Sequence, residues 1–187
     1  TLFDVNKTLN SLANLLFKIY GVCYKENIIT KEISKDEIFF KIKERFSFVM
    51  FHYFQFIIPW TMRWKKFFDN DIELFIIWSV VVLNKTVKLV KIHNEKINII
   101  NWRSEIELAN TQGINKMSLS DITGIPRPTV SRKVTKLFIR NLAIIDDYKL
   151  IHPLTTVYKK ELTKIHNHSI NSFSKFTVTV CNRMIFN

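Results

Sequence analysis

The chain has 187 residues, of which 47% are apolar and 16 are Phe, enough for a substantial core, which excludes a disordered tract. Its only glycines are Gly21, Gly113 and Gly124, too few turn formers for an all-β sandwich or barrel, so a mainly α fold is expected. The formal charge is +12, and residues 114–187 hold 12 basic against 4 acidic side chains, a field that suits a polyanion such as DNA or an acidic membrane surface.

Asp4 is expected to cap a first helix in which Val5, Leu9, Leu12, Leu16 and Ile19 share one face, ending near Gly21. Ser34 with Glu37 forms a capping-box pattern ahead of Ile38 and predicts a long helix from there toward Pro59. Asn70 with Glu73 opens a third helix that continues through Leu74, Ile77, Trp78 and Val81 toward Val90. These helices make a lobe over 1–100, for dimerisation or effector binding.

Within the lobe, 46–62 carries no charge and lies between Arg45 and Arg63, like the ends of a membrane span. Its short length, His52, Gln55 and the interrupting Pro59 favour a buried core or dimer-interface helix instead. Phe46, Phe48, Phe51, Tyr53, Phe54, Phe56, Trp60 and Trp64 put aromatic rings all around it, which predicts burial on several sides. His52 reads as a core histidine or as one polar group in a ligand pocket.

A polar stretch at 94–101 leads into a module at 101–154, starting with a short helix at 102–109. The remainder, 155–187, reads as a final helix to about 175, followed by β-branched residues at 177–180 that fray or form a strand. Cys23 and Cys181 are too few for a zinc site or a disulfide framework and are expected as reduced thiols. The N-terminus has no signal-peptide pattern, and the Ile, Lys, Asn and Phe usage suits an AT-rich genome, so a bacterial, cytoplasmic protein is expected. There is no phosphate loop, nucleophile elbow or paired-carboxylate motif, so neither catalysis nor a cofactor is indicated. His166 and His168 diverge on a helix and do not suggest a metal.

The informative segment runs from Met117 to Val134. Ser118 with Asp121 is expected to cap a short helix with Leu119 and Ile122 turned inward, and Ser120 is small enough for a second helix to approach. Gly124 permits a tight reversal. Pro126 and Pro128 stand where the second helix begins, where missing amide protons cost nothing. Val130, Val134 and Leu137 form its buried stripe and leave Arg127, Pro128, Ser131, Arg132 and Thr135 outside. Asn141 ends the helix. Residues 142–145, a turn at 146–147, and 148–151 then read as a hairpin, so helix, turn, helix and hairpin together describe a winged helix.

On Ile122, Gly124, Ile125, Pro126, Arg127, Thr129, Val130 and Arg132, residues 115–153 resemble the DNA-binding modules of the cyclic-AMP receptor protein family. They also resemble the winged modules of MarR-type and IclR-type bacterial regulators. The resemblance implies base contacts by Arg127 and Arg132. Pro128 stands where the receptor family often has Glu, which implies a different preferred sequence. The resemblance stops upstream, because that family senses its nucleotide in a glycine-rich β-roll, so cyclic-nucleotide control is not carried over.

The expected base-reading residues are Arg127, Pro128, Ser131 and Arg132, and the expected phosphate contacts are Ser118, Thr129, Lys133, Thr135, Lys136, Arg140 and Lys149. Lys133 also stands where the resembled family commonly has an apolar residue. The leading reading is a homodimeric transcription regulator that binds double-stranded DNA at an inverted repeat, with a small apolar effector in the N-terminal lobe. Two alternatives stay open: a membrane-associated regulator anchored by 46–62, and a winged-helix architectural or protein-interaction subunit without sequence preference.

Overall fold

The computed structural model describes residues 5–25, 27, 33–92, 102–108 and 111–185. Among them are eight helices, α1 (Val5–Lys25), α2 (Lys35–Glu44), α3 (Phe46–Phe67), α4 (Ile72–Ile92), α5 (Trp102–Leu108), α6 (Lys116–Thr123), α7 (Arg127–Ile139) and α8 (Lys159–Ile185). Two strands, β1 (Ala143–Ile145) and β2 (Ile151–Pro153), complete the chain. The cap expected from Asp4 and the polar stretch 94–101 lie outside the described residues.

Ser34 starts α2 as its sequence suggests, with its Oγ accepting the Glu37 N–H at 3.1 Å. The helix does not run on to Pro59: the backbone leaves the helical region at Arg45 (φ −113°, ψ 32°), and a separate α3 begins at Phe46. Pro59 lies inside α3 and does not end it. A proline there removes one amide from the ladder, which the rest of a long helix can absorb. Asp71, rather than Asn70, caps α4, with its Oδ1 accepting the Leu74 N–H at 3.1 Å. Asp69 and Asn70 instead turn the chain with left-handed backbone, φ 53° and 65°. Gly21 does not end α1, which continues to Lys25.

Residues 177–180 neither fray nor form a strand but continue α8. Phe176 and Val180, one turn apart, are buried, and that burial outweighs the weak helix propensity of the Thr and Val residues around them.

The chain forms two compact units, 1–60 with 168–187 and 61–167, and α3 and α8 each contribute to both. This division cuts across the expected boundaries at 100 and 154. The first unit buries Leu9, Leu12, Leu16 and Tyr20 of α1 with Ile38 and Ile42 of α2, Val49 and Met50 of α3, and Phe176 and Val180 of α8. The α3 ring Phe56 stacks on Phe176 at 5.8 Å, and Tyr53 meets Phe176 edge-on at 6.1 Å. The opposite side of α3 is open, with Phe51 and Phe54 exposed, and Phe46 is exposed at the start of the helix, so α3 is not buried all round. His52 is half-buried, with its ring edge-on to Phe48 and Phe51. No helix among the described residues is long and apolar enough to cross a membrane.

In the second unit α4, which the sequence groups with the N-terminal lobe, is central and packs against α5, α6, α7 and β2. Trp64 stacks on Phe75 at 5.4 Å, and Phe68 meets Trp78 at 5.5 Å. Val81, Ile106, Leu119, Val130, Val134, Leu137, Leu142, Ile151 and Leu162 complete a buried set. Glu107 of α5 accepts hydrogen bonds from the backbone and hydroxyls of Thr155 and Thr156, anchoring the segment that leads into α8. His166 lies edge-on to Trp64 at 5.5 Å.

Candidate nucleic-acid interface

The cap of α6 lies three residues earlier than the sequence suggests. Asn115 accepts the Ser118 N–H through Oδ1 at 2.8 Å, so Ser118 is the capped residue and not the cap. Leu119 is fully buried, but Ile122 is 63% exposed and does not turn inward. Ser120 donates its hydroxyl to the Ile125 carbonyl at 2.7 Å, closing the turn between α6 and α7. Gly124 caps α6 with φ 70°, and a Cβ there would meet nothing within 4 Å, so the demand for glycine is conformational rather than steric.

Pro126 is the N-cap of α7, and Pro128 sits in its first turn, as expected. Val130, Val134 and Leu137 are fully buried. Arg127, Pro128, Arg132, Thr135 and Lys136 are exposed, while Thr129 and Ser131 are half-buried. Ser131 is already engaged, because Lys116 of α6 donates to its Oγ at 3.0 Å. Thr135 donates its hydroxyl back to the Ser131 carbonyl at 3.1 Å.

Two of the residues expected at phosphates are held elsewhere. Lys133 is buried among the apolar residues of α7, with its ammonium 2.5 Å from Asp71 Oδ1 and 3.0 Å from Glu73 Oε2. That resolves why a lysine stands at an apolar position: α4 brings two carboxylates to it. Arg140 donates to Asp69 at 2.9 Å and to the Phe67 carbonyl at 2.7 Å, and its guanidinium lies 5.5 Å from both the Phe67 and Phe68 rings. Lys136 is more open, 3.5 Å from Asp71 Oδ2.

The electrostatics of this cluster are mutually reinforcing. Burial alone would raise the Asp71 carboxyl, but hydrogen bonds from Lys133 and the Leu74 amide, with the charges of Lys133 and Lys136, hold it below the usual carboxylate range. Burial likewise disfavours the Lys133 ammonium, and its bonds to Asp71 and Glu73 outweigh this and hold it above the ordinary lysine value. A depressed carboxylate contributes stability that is present above its unfolded pKa, about 3.9, and is lost as pH falls through the lower folded value. The raised lysine contributes below about 10.4 and loses its contribution as pH rises through its higher folded value. Melting temperatures are therefore expected to fall between about pH 4 and pH 3 more steeply in the native chain than in Asp71→Asn, and parallel pH profiles would contradict this.

β1 and β2 pair antiparallel with Ala143 opposite Pro153, Ile144 opposite His152 and Ile145 opposite Ile151. The connection is the five residues 146–150, longer than the two-residue turn expected at 146–147. Asp146 organises it: Oδ1 accepts the Leu150 N–H at 2.8 Å, and Oδ2 meets His152 Nε2 at 2.8 Å. The His152 hydrogen bond holds the Asp146 carboxyl below its ordinary value. Lys149 takes left-handed backbone at φ 60°, and Tyr148 and Lys149 are exposed at the tip. Ile114 adds an antiparallel bridge to Ile151, with bonds of 3.1 and 2.9 Å. Gly113 beside it is required by contact: a Cβ would come within 2.7 Å of the Ile151 carbonyl oxygen.

Asn115, Lys116, Asp69, Asp71 and Glu73 have structural roles here that the sequence reading missed. A capping Asp before an apolar run signals Asp71 as a helix start, but nothing local ties it to Lys133, 62 positions away. Among the described residues no group of three or more His, Cys, Asp or Glu side chains could hold a metal ion. No family model matches the chain, and no curated protein or solved structure matches it either.

Proposed function

We propose that residues 113–153 form a winged helix-turn-helix that binds double-stranded DNA, with α7 as the reading helix in the major groove and the 146–150 turn as the wing. The observation that carries this is the division of α7 into a buried stripe, with Val130, Val134 and Leu137 fully buried, and an exposed face that holds Arg132, with Arg127 exposed at the first residue of the helix. Arginine offers a planar fork that matches the two major-groove acceptors of guanine. Arg127 and Arg132, with Pro128 and Ser131, are the base-facing set. Ser118, Thr129, Thr135, Lys136 and Lys149 serve the phosphates. Lys133 and Arg140 leave that set because their charges are met within the protein.

The chain acts in this reading as a homodimeric transcription regulator. Phe51, Phe54 and Ile58, spaced three and four apart on α3, are 58%, 45% and 56% exposed and offer an apolar stripe to a second copy. An effector of this regulator would have to be very small, because the cleft lined by Thr8, Ser11, Leu12, Leu15 and Tyr53 holds about 140 Å³, below the roughly 300–1,000 Å³ of usual ligand pockets. The basic balance of 114–187 supports a polyanionic partner but equally fits an architectural protein without sequence preference.

Arg132→Ala separates the two. For a sequence reader it costs about 1–3 kcal/mol at the preferred duplex and little on scrambled DNA, with the melt unchanged because no buried group is lost. Equal losses on both duplexes in titrations at one salt concentration would make Arg132 a phosphate contact and favour the architectural reading.

A further inference from the structure

Lys133, Lys136 and Arg140 recur at three and four positions along one row of α7 and its C-cap, and all three reach the turn that joins α3 to α4. We propose that this turn, 69–71, is a positioning element for the reading helix, its carboxylates gripping Lys133 and Arg140 so that the rotation of α7 about its own axis is set. The proposal rests on the DNA reading above and adds to it the residues that aim α7.

The apolar stripe of α7 decides which face is buried but sets the rotation only coarsely. Val130, Val134 and Leu137 are driven inward by a force without direction, and small aliphatic groups tolerate a roll of the helix. The grips are directional. Lys133 is fixed near the middle of α7 by Asp71 Oδ1 at 2.5 Å and Glu73 Oε2 at 3.0 Å. Arg140 is fixed at its C-terminal end by Asp69 at 2.9 Å and the Phe67 carbonyl at 2.7 Å. Seven residues of helix separate these points, about 10 Å, so they constrain roll and tilt together.

The turn is itself well anchored. Asp71 caps α4, its N–H donates to the Phe68 carbonyl at 2.9 Å, and the Asn70 N–H donates to the Lys65 carbonyl at 2.9 Å. Contacts to base edges tolerate errors of only about 0.5 Å and 10–20°. Loss of the grip therefore reaches Arg127 and Arg132 although neither touches the turn, and Asp71 and Lys133 act as positioning residues.

Two variants and their combination test this. Asp71→Asn keeps a side chain that caps a helix as well as Asp does and removes only the charge. Lys133→Met keeps the apolar stem and removes the ammonium, leaving no buried cation, and so reports alone if Asp71→Asn does not fold. Hydrogen exchange at the α7 amides is expected to rise about tenfold in either variant, with amides of α5 unchanged. Discrimination between a selected duplex and random DNA should fall about tenfold, with random-duplex affinity held within about twofold, and the double variant should be no worse than either single.

A merely stabilising role would lower binding to both duplexes equally, in step with the melt, and that result overturns the proposal. So does a folded variant with unchanged exchange and discrimination. If the native chain binds no duplex, the DNA reading fails on that result alone, while the exchange measurement still decides whether the turn holds α7.

Discussion

Phe68→Ala is expected to cost about 3–5 kcal/mol of folding stability and to lower the melting temperature by about 6–20 °C. Phe68 is fully buried, and its ring lies 5.0 Å from Phe67, 5.8 Å from Phe75, 5.5 Å from Trp78 and 6.4 Å from Trp64. Its removal leaves a cavity among large, rigid rings that cannot collapse into it, and takes away one of the two faces under the Arg140 guanidinium. Phe68 also accepts the Asp71 N–H at the start of the turn that holds α7, so the cavity opens where that turn begins. Trp64 and Trp78 line the same site and give a fluorescence signal for denaturant unfolding. Phe40→Ala on α2 is the control: at 60% exposure, and outside the stripe proposed for a second copy, its change should stay within about 0.5 kcal/mol. A loss below about 1 kcal/mol for Phe68→Ala would contradict the packing described.

The mainly helical class follows from composition, and several local features follow from short-range chemistry. Ser34 as a cap, Gly124 in the left-handed region and Pro126 ahead of α7 each depend on neighbours within four residues, and each is where its sequence signal puts it. The buried stripe of α7 is equally local in origin, since helical period alone selects Val130, Val134 and Leu137.

Features decided by distant contacts were not readable in this way. The helix expected through Arg45 breaks there, and the β-branched run at 177–180 stays helical, because burial of Ile42, Val49, Phe176 and Val180 in one core settles both. Ile122 fits the inward period of α6 beside Leu119, yet of the two only Leu119 is buried. Lys133 and Arg140 look like surface cations in the sequence. Their acid partners sit on a turn between α3 and α4 more than 60 positions upstream, and no period or motif joins such distant residues. The same gap hid the place of α4, which packs against α5, α6, α7 and β2 as well as against Trp64 at the end of α3.

The effect on which the proposed function depends most is the preference of the native chain for one DNA sequence over others. In the proposed reading, two exposed arginines on α7, doubled by a second copy, would supply up to four base contacts worth about 1–3 kcal/mol each. Specific sites of this kind are typically bound about 10³–10⁷-fold more tightly than random DNA. A dimer whose interface is the same patch on both copies imposes its twofold symmetry on the site, with half-sites about one helical turn, roughly 34 Å, apart.

The direct test is to incubate the native chain with a pool of random duplexes, recover and amplify the bound fraction over several rounds, and titrate the enriched sequence against scrambled DNA at one salt concentration. The account predicts enrichment of an inverted repeat bound at least about 10³-fold more tightly than the scrambled duplex. A pool that stays random while the protein binds all duplexes equally, or a pool that yields no bound fraction at all, would contradict it.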